Sequence, residues 1–157
     1  MNLVHKQTVS IAMTAENKRL EKLIGRLHSR SLPEDVSHQI IKLGKPAYNY
    51  LFQKIDEPTL TECQVINIIR VLYAMRCHGD IQIFINKLLL LTKNERISVR
   101  SVASHLSICL VLMAEAFEEL NIPLQREMLK PLLQNAFVMG LNPGVAEFTK
   151  HFLSNTN

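Results

Sequence analysis

Apolar positions fall at helical spacing along nearly the whole chain. From Gly79 to Met113 two apolar, helix-length segments flank a polar break at Thr92 to Arg96. In the first, Ile81, Phe84, Ile85 and Leu88 stand at i, i+3, i+4 and i+7, one face of an α-helix; in the second, Val99, Val102, Ala103 and Leu106 repeat the spacing. The pair predicts an antiparallel helical hairpin. Upstream, Leu20, Leu23, Ile24 and Leu27 make an apolar stripe on a helix that starts at Thr14 and ends near Arg30, because Pro33 disfavours helix at Leu32. Pro33 opens a short helix with Val36, Ile40, Ile41 and Leu43 as its apolar positions, and Gly44 stops it. Pro46 opens the next, with Tyr48, Leu51, Phe52 and Ile55 on one face. Thr59 or Thr61 caps a further helix carrying Val65, Ile68, Ile69, Leu72 and Met75, which Gly79 and Asp80 end.

The pattern continues beyond the hairpin to a helix over 123–138, where Pro131 either kinks it or marks its start, and a last helix over roughly 143–153. No run alternates with period two. The expectation is an all-α chain of about eight helices with short connections, in one domain spanning 1–157 behind a loose arm at 1–13. One run is apolar all round: Ile108 to Ala114 has no polar side, so this helix is either central in the fold or part of an interface, and central burial is the expected outcome.

Composition narrows the class. With 157 residues, 47% hydrophobic content, 5 Gly and 6 Pro, the chain suits one domain with a real core and does not suit disorder. Aromatics reach 6% and Trp is missing, so aliphatic residues and Met fill the interior. The formal charge is +4, and residues 1–31 hold six basic residues against Glu16 and Glu21, which accounts for the whole excess. Cys63, Cys77 and Cys109 are an odd number set inside apolar helical segments, the pattern of reduced thiols in a cytoplasmic protein. No apolar run reaches the length of a membrane span, and no secretory signal stands out at the start.

Candidate chemistry is sparse. Cys77-His78 is an adjacent pair, but no C-x-x-C or H-E-x-x-H occurs and the three cysteines are too widely spaced to predict a zinc site. Glu34 and Asp35 could place a carboxylate beside His38, yet the further Glu and His residues of a di-metal bundle are missing. No catalytic residue, metal, cofactor or small-molecule substrate is expected. Lys18, Lys22, Arg26 and Arg30 step by four along the first helix with Arg19 beside them, a candidate phosphate-contacting face without an aromatic for base stacking.

Sliding the chain by 33 or 34 residues superposes Tyr48, Leu51, Phe52 and Ile55 on Ile81, Phe84, Ile85 and Leu88, and Val65, Ile68, Ile69 and Leu72 on Val99, Val102, Ala103 and Leu106. With Leu43-Gly44-Lys45-Pro46-Ala47 before one pair, Gly79-Asp80 between the pairs and Val99-Arg100 after the second turn, residues 34–114 resemble HEAT-type helical repeats. Ile66 stands where the first unit would carry the repeat's Arg, and the second turn offers Glu95 but no Asp. The resemblance implies a right-handed stack of helical hairpins with a curved surface lined by the second helix of each pair. On that surface fall Asn67, Arg70 and Tyr73 of one unit and Ser101, Ser104 and Ile108 of the next, a mildly polar composition that suits protein contact better than phosphate contact. The functional expectation is a non-catalytic protein-binding module: an adaptor, an inhibitor or an immunity-type antagonist of another protein. The alternative is a nucleic-acid-binding helical-repeat protein using the basic first helix.

Overall fold

A computed structural model describes residues 14–112, together with the isolated helical positions Gln134 and Glu147. The helices are α1 (Ala15–Gly25), α2 (Glu34–Lys42), α3 (Lys45–Lys54), α4 (Glu62–Ala74), α5 (Ile81–Leu91) and α6 (Ile97–Leu112), with a 3-10 turn at Arg76–His78. No strand occurs among the described residues, so the all-α expectation holds for them. The expected arm at 1–13, the helices over 123–138 and 143–153 apart from Gln134 and Glu147, and the end of the apolar run past Leu112 lie outside the described residues.

The chain divides into two compact units, Met1–Leu72 and Tyr73–Asn157, with the boundary two residues before the end of α4. In the first unit α1 packs against α2 and α3, and α2 and α3 pack against each other. Thr14, extended, caps α1: its Oγ1 accepts from the Asn17 N–H at 3.1 Å. The helix stops at Gly25, several residues before the limit that Pro33 sets. Gly25 is a poor helix former, and the chain turns there so that Leu27 enters the core, fully buried. Arg26 therefore stands at the C-cap and Arg30 in the following loop, which corrects the predicted five-cation stripe: Lys18, Arg19 and Lys22 alone of the five ride on the helix.

Gly44 joins α2 to α3 and needs its missing side chain. Its φ is 72°, in the left-handed region, and its N–H closes α2 on the Ile41 carbonyl while its own carbonyl starts α3. The start of α4 is fixed at Thr61, not Thr59. Thr61 Oγ1 accepts from the Gln64 N–H at 3.2 Å, and Gln64 Oε1 accepts from the Thr61 N–H at 2.9 Å, a reciprocal capping box.

In the second unit Asp80 caps α5, its Oδ1 accepting from the Gln82 and Ile83 N–H groups at 2.8 and 3.3 Å. α5 packs on α6 and on the 3-10 turn. The apolar templates superposed by the 33- or 34-residue shift point inward in both helical pairs. Tyr48, Leu51 and Ile55 are buried with Phe52 half-buried, and Phe84, Ile85 and Leu88 are buried with Ile81 half-buried. Val65, Ile68, Ile69 and Leu72 are buried, as are Val99, Ala103 and Leu106, while Val102 is half-exposed. Of the all-round apolar run, Ile108 and Leu110 are buried and Cys109 is half-buried, and Ser107 just before it is buried.

Candidate functional site

Three polar side chains stand at i, i+3 and i+6 on α4, and all three donate to backbone carbonyls at and after the end of α1. Gln64 Nε2 donates to the Ile24 carbonyl at 3.3 Å, Asn67 Nδ2 to the Leu27 and Ser29 carbonyls at 2.8 and 2.7 Å, and Arg70 Nη1 to the Arg30 carbonyl at 3.1 Å. Arg70 Nη1 also donates to Asn67 Oδ1 at 3.1 Å, which ties two members of the row together. Of these carbonyls only that of Ile24 belongs to α1, and it also accepts from the Leu27 N–H; the other three lie in the loop that follows, so the row fixes the course of that loop. Asn67 is 0% exposed. The expectation that Asn67 faces a partner is thus corrected by its burial, and Arg70 is half-buried and engaged in the same internal clamp. A lone amide inside Val65-Ile66-Asn67-Ile68-Ile69 was the signal in the sequence: a carboxamide among aliphatic neighbours is more readily explained by an internal acceptor than by solvent.

A second network joins α1 to α3. Glu21 accepts hydrogen bonds from the Tyr50 hydroxyl and from Lys54 Nζ, whose nearest approach is 3.0 Å, and Lys54 also pairs with Glu57 at 2.8 Å. Burial alone would push the Glu21 carboxyl up, but the bonds from Tyr50 and Lys54 outweigh it and hold it below its ordinary value. Burial and the neighbouring Glu21 push the Tyr50 phenol up to about 12. Glu21 is therefore turned toward α3, while Lys18, Arg19 and Lys22 are exposed and make no ion pair among the described residues. Arg26 pairs with Asp35 at 2.7 Å in an exposed bridge, and that guanidinium keeps the Asp35 carboxyl below its ordinary value.

In the second unit Tyr73 is half-buried. The Arg76 guanidinium lies 4.5 Å from its ring centroid and donates to its carbonyl at 2.9 Å, and the ring tilts against Phe84 with centroids 6.3 Å apart. Ser104 and Ile108 are buried and Ser101 is exposed, so burial corrects the expected partner-facing positions at 104 and 108. Arg100 Nη1 donates to the Asn94 and Glu95 carbonyls at 3.0 and 3.4 Å, holding the α5–α6 turn through its backbone. Cys109 Sγ lies 3.8 Å from His105 Nε2, and burial pushes its thiol above the ordinary value against the opposing pull of Arg76. A thiol held protonated in this way is a weak nucleophile. No group of three or more His, Cys, Asp or Glu residues that could hold a metal ion occurs among the described residues.

Among the described residues, the large exposed apolar side chains lie elsewhere: Ile83 at 54%, Leu90 at 68% and Ile97 at 73% exposure. Ile83 and Leu90 are seven residues apart, two turns along one side of α5, with Asn86 and Lys87 between them. Phe84, Ile85, Leu88 and Leu91 bury the other side. The sequence carried this signal in Ile81–Leu91, where a single Lys is the one charge and apolar residues occupy more than one face.

No family model, no curated protein and no solved structure matches this chain. Among the described residues, no helix is long and apolar enough to cross a membrane.

Proposed function

We propose that this chain is a non-catalytic protein-binding module built as a HEAT-like stack of helical hairpins, acting as an adaptor, an inhibitor or an immunity-type antagonist of another protein. The observation that carries the reading is the outer side of α5, where Ile83 and Leu90 stand exposed two turns apart while the opposite side of the same helix is core. A helix that is apolar on both sides is matched to cover on both sides, and a strip of aliphatic side chains with an amide and a lysine beside it has the composition of a protein contact. Four of the six residues that the sequence places on a partner-facing surface are engaged internally: Asn67 and Arg70 hold the loop after α1, and Ser104 and Ile108 are buried. The contact surface in this reading is therefore centred on Ile83 and Leu90, with Ile97 and the exposed Ser101 as further positions in the same unit.

The test is site-specific photo-crosslinking in the cells that make the protein. A photoreactive side chain at Leu90 or Ile83 is expected to trap a defined protein adduct, whereas the same group at the exposed Gln53 of α3 is not. Ile83→Glu with Leu90→Glu should abolish the adduct formed from an exposed neighbouring position such as Asn86, and should leave the circular dichroism spectrum unchanged because neither residue is core. No protein adduct at 83 or 90, or equal adducts at 53, would overturn the reading.

A further inference from the structure

We propose that the outward side of α1 is a second contact surface, made for the phosphodiester backbone of double-stranded nucleic acid. It lies in the first unit and does not rest on the role given to α5. Lys18 and Lys22 are one turn apart, about 6 Å along the helix, with Arg19 beside them. All three are exposed and make no ion pair among the described residues. The acid that would offset them, Glu21, is turned to Tyr50 and Lys54 on α3. Glu16, in the first turn, is the other carboxylate of α1.

The backbone that follows these cations is exposed at Gly25 and carries a further exposed cation. Gly25 is exposed, and a Cβ placed on it would meet nothing within 4 Å, so the backbone is open to close approach there. The loop beyond it is pinned by the Asn67 and Arg70 bonds to the carbonyls of residues 27, 29 and 30, and it presents the exposed Arg30 from a fixed backbone. A cation on a fixed backbone loses less conformational freedom on binding than one on a loose chain.

The chemistry selects the ligand. Nothing aromatic other than His28 occurs between Thr14 and Leu32, and no large apolar side chain of α1 is exposed. Single-strand binders depend on stacking bases against aromatic rings, and protein contacts on apolar anchors. Neither is offered here. What is offered is three or four fixed cations that contact phosphates without reading bases, which suits the duplex backbone and predicts sequence-independent binding.

The test is fluorescence anisotropy of a labelled random-sequence DNA duplex with the full chain, over salt from about 50 to about 200 mM. Neutralising three or four phosphates gives a slope of log K against log salt of about −2.7 to −3.6, a loss of roughly 40- to 150-fold over that range. Lys18→Gln, Arg19→Gln and Lys22→Gln together should flatten the slope by about three and weaken binding most at the low-salt end. Lys42→Gln with Lys45→Gln, two exposed lysines outside this surface, should leave the slope within about one of the parent. The circular dichroism spectrum of each variant confirms that it folds. Absence of duplex binding at low salt, an unchanged slope in the triple variant, or an equal loss in the Lys42/Lys45 variant would overturn the proposal. So would tighter binding of a single strand than of the duplex, or binding to anionic phospholipid vesicles without binding to the duplex.

Discussion

A carboxamide set among Val65, Ile66, Ile68 and Ile69 has to find its hydrogen bonds inside the protein, and Asn67 finds them on Leu27 and Ser29, about forty residues upstream. That separation is why the sequence alone misplaced it. Helical spacing puts Asn67 and Arg70 away from the Ile68/Leu72 stripe, and a side away from the stripe reads as solvent unless something distant covers it. Here a loop does, and polar side chains meet its carbonyls. Asn67→Leu should leave two carbonyls without their donor and Arg70 without its amide acceptor. The expected cost is about 1–3 kcal/mol, since a buried polar group left unsatisfied loses its full desolvation free energy. A urea midpoint equal to that of the parent protein would show that the clamp contributes nothing. The same scale separates the thiols. Cys77 is exposed, while Cys109 is half-buried with its thiol raised by burial, so iodoacetamide near neutral pH should label Cys77 first and Cys109 slowly. Mass mapping of the labelled peptides reads the order directly, and faster labelling of Cys109 would contradict the burial assigned to it.

Helices in the first unit are joined by ionisable groups as well as by apolar packing, and this gives stability a defined dependence on pH. Glu21 titrates below its ordinary value of 4.5 in the folded chain, so the unfolded state binds the proton first on acidification. Its contribution is present above that ordinary value and is lost as pH falls through the lower, folded value. Tyr50 behaves in the opposite sense: its folded value is raised from 10.0 to about 12, so its contribution is complete below 10.0 and is lost as pH rises toward 12. The α1–α3 connection should therefore be strongest across the neutral range. Glu21→Gln should flatten the acid limb of a melting-temperature profile, and Tyr50→Phe the alkaline limb. Limbs unchanged by both substitutions would mean that other groups set the dependence. Element ends show which local signals were sufficient. Thr14, Gly44 and Asp80 act as their residue types predict, because caps and left-handed turns are decided within a few residues. The end of α1 is decided by the demand for Leu27 in the core and by α4's side chains, neither of which is local, so a reading based on Pro33 alone overran it by several residues.

Across the described residues, the apolar template is the part of the molecule most fully written in the sequence, because burying a helix face imposes a 3.6-residue period whatever the neighbours are. The template does not weigh equally in the two units. Leu51 and its shifted counterpart Phe84 are both buried, but the counterpart of the fully buried Ile68 is Val102, which is half-exposed. Leu51→Ala should cost about 2–5 kcal/mol and Phe84→Ala about 3–5 kcal/mol, through lost transfer free energy and the cavity left behind. Val102→Ala should cost about 1 kcal/mol or less, because the methyl groups it loses are partly in water and Ala is the better helix former. Chemical denaturation of the three variants, each checked for an all-helical far-ultraviolet spectrum, measures the ranking. A spectrum with more than about a fifth strand would reject the fold class itself. If Val102→Ala instead proved as damaging as Phe84→Ala, α6 would present a different side to its core from the one described, and the surface assigned to Ser101 would turn with it. A mild Val102 and a severe Phe84 would place α5 as the helix on which the second unit depends, core on one side and the exposed Ile83 and Leu90 on the other.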